Sequence, residues 1–171
     1  MGNIGFIVAQ AIGLTTGIMS IVTLCLKKRK TFLYGACVKG SINIIQLVLL
    51  GEAKVVPIVL VELIRNFVYT RTKKKWVPVV FIAIMLTMCF LLYDGVKLVL
   101  LLVGYTASCI CYMFQDIKKI KIFQACNYIM WLPWDISIKN YSKVGCHIVA
   151  IGIVLYQLIK DKKTETESVL N

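Results

Sequence analysis

Acidic residues are scarce in this 171-residue chain: eight Asp and Glu stand against twenty Lys and Arg, and only Glu52 and Glu62 precede position 94. Histidine occurs once, as His147, and proline three times, as Pro57, Pro78 and Pro133. A single His cannot furnish a His-based metal set, and no H-E-x-x-H or Ser/His/Asp constellation is present, so an enzyme reading has nothing to rest on. No glycine-rich phosphate loop occurs, so ATP energy would have to come from another protein. The cysteines are Cys25, Cys37, Cys89, Cys109, Cys111, Cys126 and Cys146, an odd number without a C-x-x-C pair. A membrane thiol oxidoreductase needs a reactive pair; these read as small buried hydrophobes. No cofactor and no metal is expected.

What is abundant is apolar surface. The chain is 59% hydrophobic with mean hydropathy +0.81, above the roughly 45–50% of a soluble domain. Apolar stretches fall at about residues 4–26, 31–51, 55–70, 76–93, 96–113, 122–138 and 144–159, each near the length of about 17–25 residues needed to cross a bilayer. Fourteen of the twenty basic residues follow the first, third, fifth and seventh stretches: Lys27, Lys28, Arg29 and Lys30; Arg71, Lys73, Lys74 and Lys75; Lys118, Lys119 and Lys121; Lys160, Lys162 and Lys163. The alternate loops hold only Lys54, Lys97, Lys139 and Lys143, while Lys39 and Arg65 lie inside stretches. Short basic loops stay cytoplasmic, which predicts seven transmembrane helices, N-terminus outside and C-terminus inside. Charges follow the first stretch rather than precede it, against a cleaved signal peptide. The net charge of +12 then points to anionic membrane lipids rather than nucleic acid as partner.

The chain also repeats itself. A shift of 91 residues matches Gly13 with Gly104, Thr15 with Thr106, Lys27 with Lys118, Lys28 with Lys119, Lys30 with Lys121 and Phe32 with Phe123. A shift of 89 matches Lys54 with Lys143, Val55 with Val144, Ile64 with Ile153, Lys73 with Lys162 and Lys74 with Lys163. Two three-helix bundles, residues 1–75 and 96–163, are therefore expected, joined by a linker helix within 76–95 and followed by a disordered polar tail, 164–171. Three helices reverse direction, so one added helix restores a parallel sense. Parallel repeats are a transporter design that places a site at the repeat interface.

Polar residues inside apolar stretches carry the functional signal, because a charge at the bilayer centre costs about 2.5–3.5 kcal/mol. In the second stretch Lys39, Asn43 and Gln46 share one helical face, and in the third Glu62, Arg65, Asn66 and Tyr69 do so. The sixth carries Gln124, Asn127, Trp131 and Trp134 with Asp135 beside them, and the 89-residue shift sets Gln46 opposite Asp135. We expect Asn43, Gln46, Asn127, Trp131, Trp134 and Asp135 to contact a substrate, and Lys39, Glu62, Arg65 and Asn66 to gate or couple. A structural latch from Glu62 and Arg65, or across to Lys39, fits the same residues. An interfacial Trp belt fits Trp76 and suits Trp134 better than Trp131. His147 is expected near the outer face, solvated or structural. Pro133 lies inside a helix, where it should free a carbonyl and bend the chain. Gly13 and Gly17 form G-x-x-x-G, which allows close helix approach or a homo-oligomer contact.

The plan of three, one and three helices resembles the SWEET, PQ-loop and PnuC superfamily, and more closely the YgjV family of bacterial inner-membrane proteins. Ala9-Gln10-x-x-Gly13, Leu49-Leu50-Gly51, Leu63-Ile64-Arg65, Arg71, Trp76 and Trp131 carry the likeness, over roughly residues 6–160. Glu62 and Asp135 stand where that pattern tends to have Asn, and the PQ dipeptide is absent from the first helix. The resemblance implies an all-α protein of the bacterial cytoplasmic membrane. Together with the intramembrane charges it leads to the expectation of a transporter for a small polar metabolite, a facilitator or proton-coupled through Glu62 or Asp135. A non-transporting receptor, chaperone or regulatory partner is the rival expectation.

Overall fold

The computed structural model describes residues 3–72, 74, 76–92 and 95–170, with side chains to Lys160 apart from that of residue 98. Lys73, Lys75 and Tyr93, which entered the expectations above, lie outside the described residues, as do the side chains of Lys162 and Lys163. Seven α-helices are present among the described residues, and no strand: α1 (Asn3–Cys25), α2 (Arg29–Leu49), α3 (Val56–Arg71), α4 (Val77–Leu92), α5 (Gly95–Met113), α6 (Ile117–Ser137) and α7 (Tyr141–Leu170). A short 3-10 turn, Ala53–Val55, leads into α3. α1, α2, α5 and the Tyr141–Lys160 part of α7 are long and apolar enough to cross a membrane; α4 is apolar but shorter.

Most boundaries fall within two or three residues of the hydropathy pattern, and local chemistry explains the departures. α6 starts earlier than its apolar run because Asp116 caps it, its side chain accepting a hydrogen bond from the Lys118 backbone N–H at 2.9 Å. The turn after α2 is closed by Gly51 at φ +82°, with Gly51 N–H on Val48 O and Glu52 N–H on Leu47 O. That left-handed exit favours glycine. α6 ends in the same pattern with Lys139 at φ 57°, while Asn140 N–H donates to Asp135 O at 2.8 Å. α6 remains helical through Pro133, and α7 runs into the polar tail as far as Leu170.

The principal packing partners follow chain order, α1 with α2 through α6 with α7, and α7 closes back on α1. The helices form a ring. Gly35 faces Thr23 while Gly13 faces Gln46, so α1 and α2 are antiparallel. Gly13 faces Ser142 and Gly17 faces Cys146, so α1 and α7 run parallel. The G-x-x-x-G pair thus serves contacts within the chain. α1 also buries Thr16, Ser20 and Thr23, and each hydroxyl donates to a carbonyl of its own helix, at 2.9, 3.0 and 2.7 Å.

The tightness of α1 against α2 can be tested at Gly35. A Cβ there would sit 2.5 Å from Thr23 Cγ2, a stiff β-branched methyl. Gly35→Ala should lower stability by about 1–3 kcal/mol through overpacking, against a helix-propensity gain of about 0.5–1 kcal/mol. Adding Thr23→Ser removes the methyl and keeps the hydroxyl. Thermal unfolding in detergent should then return to the wild-type midpoint or above; a double variant as unstable as Gly35→Ala contradicts this packing.

Candidate functional site

The ring surrounds a central cavity of about 70 Å³, room for a few waters or a small ligand group. α2 contributes Lys39 and Asn43, α3 Glu62, and α5 Tyr105, Ser108 and Tyr112. α6 contributes Gln124, Asn127, Trp131, Trp134 and Asp135, and α7 Lys143 and His147. Lys39 is the central residue of α2, and Glu62 lies near the middle of α3.

On the α3 side the deciding residue is Arg65, fully buried. Its Nη2 meets Glu62 Oε1 at 3.0 Å, and Nε and Nη2 both donate to Asn66 Oδ1, at 3.1 and 2.9 Å. Nη1 donates to Cys109 Sγ at 3.2 Å, and the guanidinium lies 5.1 Å from the Tyr112 ring centre. Arg65 therefore clamps α3 to α5 from behind the cavity wall. Glu62 pairs with Arg65, not with Lys39, and Arg65 and Asn66 do not line the cavity.

The opposite wall is organised by Ser108. Its Oγ donates to Gly104 O at 3.0 Å and accepts from Asn127 Nδ2 at 3.0 Å and Trp131 Nε1 at 3.3 Å. One hydroxyl thereby fixes two of the four α6 residues expected to contact a substrate. Trp131 also meets Tyr105 edge to face, with ring centres 4.9 Å apart, and a Cβ on Gly104 would come within 2.8 Å of its ring. Trp134 is 2% exposed, so its place is the cavity wall and not a surface belt. Trp76, 59% exposed, has the exposure a belt requires.

Asn140 joins the two residues that the 89-residue shift sets opposite each other. It accepts from Gln46 Nε2 at 2.7 Å and donates to Asp135 Oδ1 at 3.2 Å. Gln46 is buried behind the wall, not on the cavity surface. The other Asp135 oxygen lies 3.3 Å from His147 Nδ1, yet the pair is misaligned for a hydrogen bond and both atoms are otherwise without a hydrogen-bond partner. His147 is buried rather than solvated and stacks on Tyr128 at 4.6 Å. Gln10 bonds the Lys139 carbonyl and the Ser142 backbone N–H, fixing α1 to this corner.

The ring has two chemically different ends. At the basic end Arg29 donates to the carbonyls of Tyr69, Tyr112 and Phe114 at 2.9, 3.3 and 3.2 Å. These are last-turn carbonyls of α3 and α5 and the residue just beyond, where a cation is favoured. A second cavity of about 120 Å³ opens there beside Arg29 and Lys74, and Tyr112 borders both cavities. At the other end Lys97 pairs with Glu52, and Lys143 bonds Asn43.

Residues 7–165 match the family of bacterial inner membrane proteins denoted Imp-YgjV. The chain belongs to that family. It is a membrane protein with several helices able to span a bilayer. Neither a curated protein nor a solved structure matches it. Sequence reasoning missed Tyr105, Ser108, Tyr112, Asn140 and Lys143. The first three sit at i, i+3 and i+7 on α5, so their shared face was readable; nothing in the local pattern marks Asn140.

The Arg65 clamp predicts a specific non-additivity. Arg65→Leu leaves Glu62 without its cation and should cost about 3–5 kcal/mol. Glu62→Gln with Arg65→Leu should recover part of that loss, because the stranded charge is gone. Unfolding of the single and double variants checks it; additive losses would show that the two residues are not coupled.

Proposed function

We propose that this membrane protein is a carrier for a small polar metabolite, either a facilitator or proton-coupled. The observation that carries the reading is the lining of the central cavity, which places Lys39, Glu62, Asn127 and Trp131 around one space inside the helix ring. Charge in such a place is costly and needs a purpose. All seven helices cross the membrane in this reading, with the basic end in the cytoplasm. The arcs α1–α3 and α5–α7 are the two repeats, and α4 is the linker between them. The parallel pairing of α1 with α7 and the matching exit turns of α2 and α6 support this arrangement, as does the likeness to the SWEET, PQ-loop and PnuC plan.

Access alternates between the two ends. Tyr112, its ring against Phe32 at 6.0 Å, separates the central cavity from the basic-end vestibule, and Arg29 holds α2, α3 and α5 together below it. Opening toward the cytoplasm breaks these contacts; opening the other way separates Lys143 from Asn43 and Lys97 from Glu52. Asp135 and His147 replace Glu62 as the pair suited to proton coupling, because Glu62 is engaged by Arg65 while the facing Asp135 and His147 atoms lack aligned partners.

Thermal unfolding of the purified protein against a panel of sugars, nucleosides, vitamin precursors and organic acids tests the reading. A true ligand at about 100 times its dissociation constant stabilises by roughly 2.7 kcal/mol, and the shift should vanish in Trp131→Ala and Asn127→Ala. The same solute should then enter liposomes containing the protein. A panel without a hit, combined with a stoichiometric protein partner in mild detergent, would favour a receptor or regulator. Orientation is checked separately: a fluorescent protein fused after the tail should mature in the cytoplasm, and a periplasm-dependent phosphatase there should be inactive.

A further inference from the structure

Resting on that carrier reading, we infer that the cavity selects organic anions: a solute with one carboxylate held by Lys39 and a flat, largely apolar body against Trp131 and Tyr105. The inference comes from which polar groups are already engaged. Each carboxylate on the cavity wall has a hydrogen-bond partner at one oxygen. Glu62 is bonded to Arg65 at 3.0 Å. Asp135 accepts from Asn140 at one oxygen and faces His147 at the other. The amide and hydroxyl of Asn127 and Ser108 satisfy each other. The lysines differ. Lys143 donates to the amide oxygen of Asn43. Lys39 has no hydrogen bond and no carboxylate within 4.0 Å among the described residues, although it lines the cavity at the midpoint of α2.

An ammonium carries three donors and no acceptor, so what the empty wall offers is positive charge and hydrogen-bond donors. A cationic solute would meet Lys39 and Lys143, with Glu62 engaged by Arg65 and the second Asp135 oxygen buried against His147. A neutral sugar would leave Lys39 without a directly paired counter-charge, an arrangement that buried charge avoids. A carboxylate supplies that counter-charge. The aromatic side of the cavity then favours an unsaturated ring or chain over a polyhydroxylated one, since Trp131 already directs its one donor to Ser108.

The test uses a matched set on the full chain in a neutral maltoside: benzoate, benzamide and benzylamine, equal in size and differing in charge, with acetate as the carboxylate lacking a ring. Isothermal titration should show benzoate binding at least about tenfold more tightly than benzamide, acetate weaker than benzoate, and benzylamine not at all. Lys39→Gln should abolish the preference for benzoate, and Lys39→Arg, which keeps the charge, should retain it. Adding phosphatidylglycerol to the micelles should leave benzoate affinity unchanged; displacement would assign the site to a lipid headgroup. Benzamide or benzylamine binding as well as benzoate, no binding by any member at millimolar concentration, or an unchanged preference in Lys39→Gln overturns the inference. Liposome uptake separates it from the carrier reading. Lys39-dependent binding without uptake removes the carrier and keeps the anion site, whereas uptake of the neutral or cationic member does the reverse.

Discussion

A guanidinium enclosed by helices cannot be left bare, and the rest of this structure arranges itself around that constraint. Arg65 is fully buried, and its fork of donors needs acceptors at close range. Glu62, Asn66 and Cys109 supply them, and Tyr112 supplies a ring face. Satisfying Arg65 decides three other things. It draws α3 and α5 together, although α4 lies between them in the chain. It fixes the Tyr112 ring at the border of the two cavities. It also engages Glu62, which leaves Lys39 with no carboxylate within 4.0 Å among the described residues.

The two ends of the ring are closed by different chemistry. At the basic end one arginine gathers helix-terminal carbonyls, an interaction with the ends of the helix dipoles. At the other end closure is by side-chain pairs, Lys97 with Glu52 and Lys143 with Asn43, and by the Gln46–Asn140–Asp135 chain. The first kind depends on helix ends staying in register; the second depends on individual charges and can be remade pair by pair.

Much of this was legible in the residues. Helix number and approximate bounds followed from apolar runs, because every run had to be long enough to bury itself and was punctuated by lysines. Lys39, Asn43, Glu62, Asn127, Trp131, Trp134 and Asp135 all stood out as polar or aromatic groups at helical spacing, and all line the cavity. What spacing does not encode is which side chains satisfy one another across helices. Arg65, Asn66 and Gln46 carry the same signal as their neighbours yet lie behind the wall. Their partners, Cys109 and Asn140, come from elements far away in sequence. Ser108 was passed over because a lone serine in an apolar helix is unremarkable until its Asn and Trp partners are seen.

The seam between α1 and α7 has a consequence for how the protein is made. α1 is made first, and its Gly13 and Gly17 face is complete long before Ser142 and Cys146 of α7 exist to cover it; the buried Thr16, Ser20 and Thr23 lie on the same helix. Those hydroxyls bond to their own helix, so α1 tolerates the wait in lipid. The cavity wall has no such provision. Asp135 emerges ahead of His147 and Asn140, and Lys39 ahead of every acid that shares its space. A nascent chain halted before α7 therefore shows the lipid a charged half-ring, an object that membrane proteases and insertases are suited to detect. The last helix to be inserted is the one that turns an unfinished chain into one with a sealed interior.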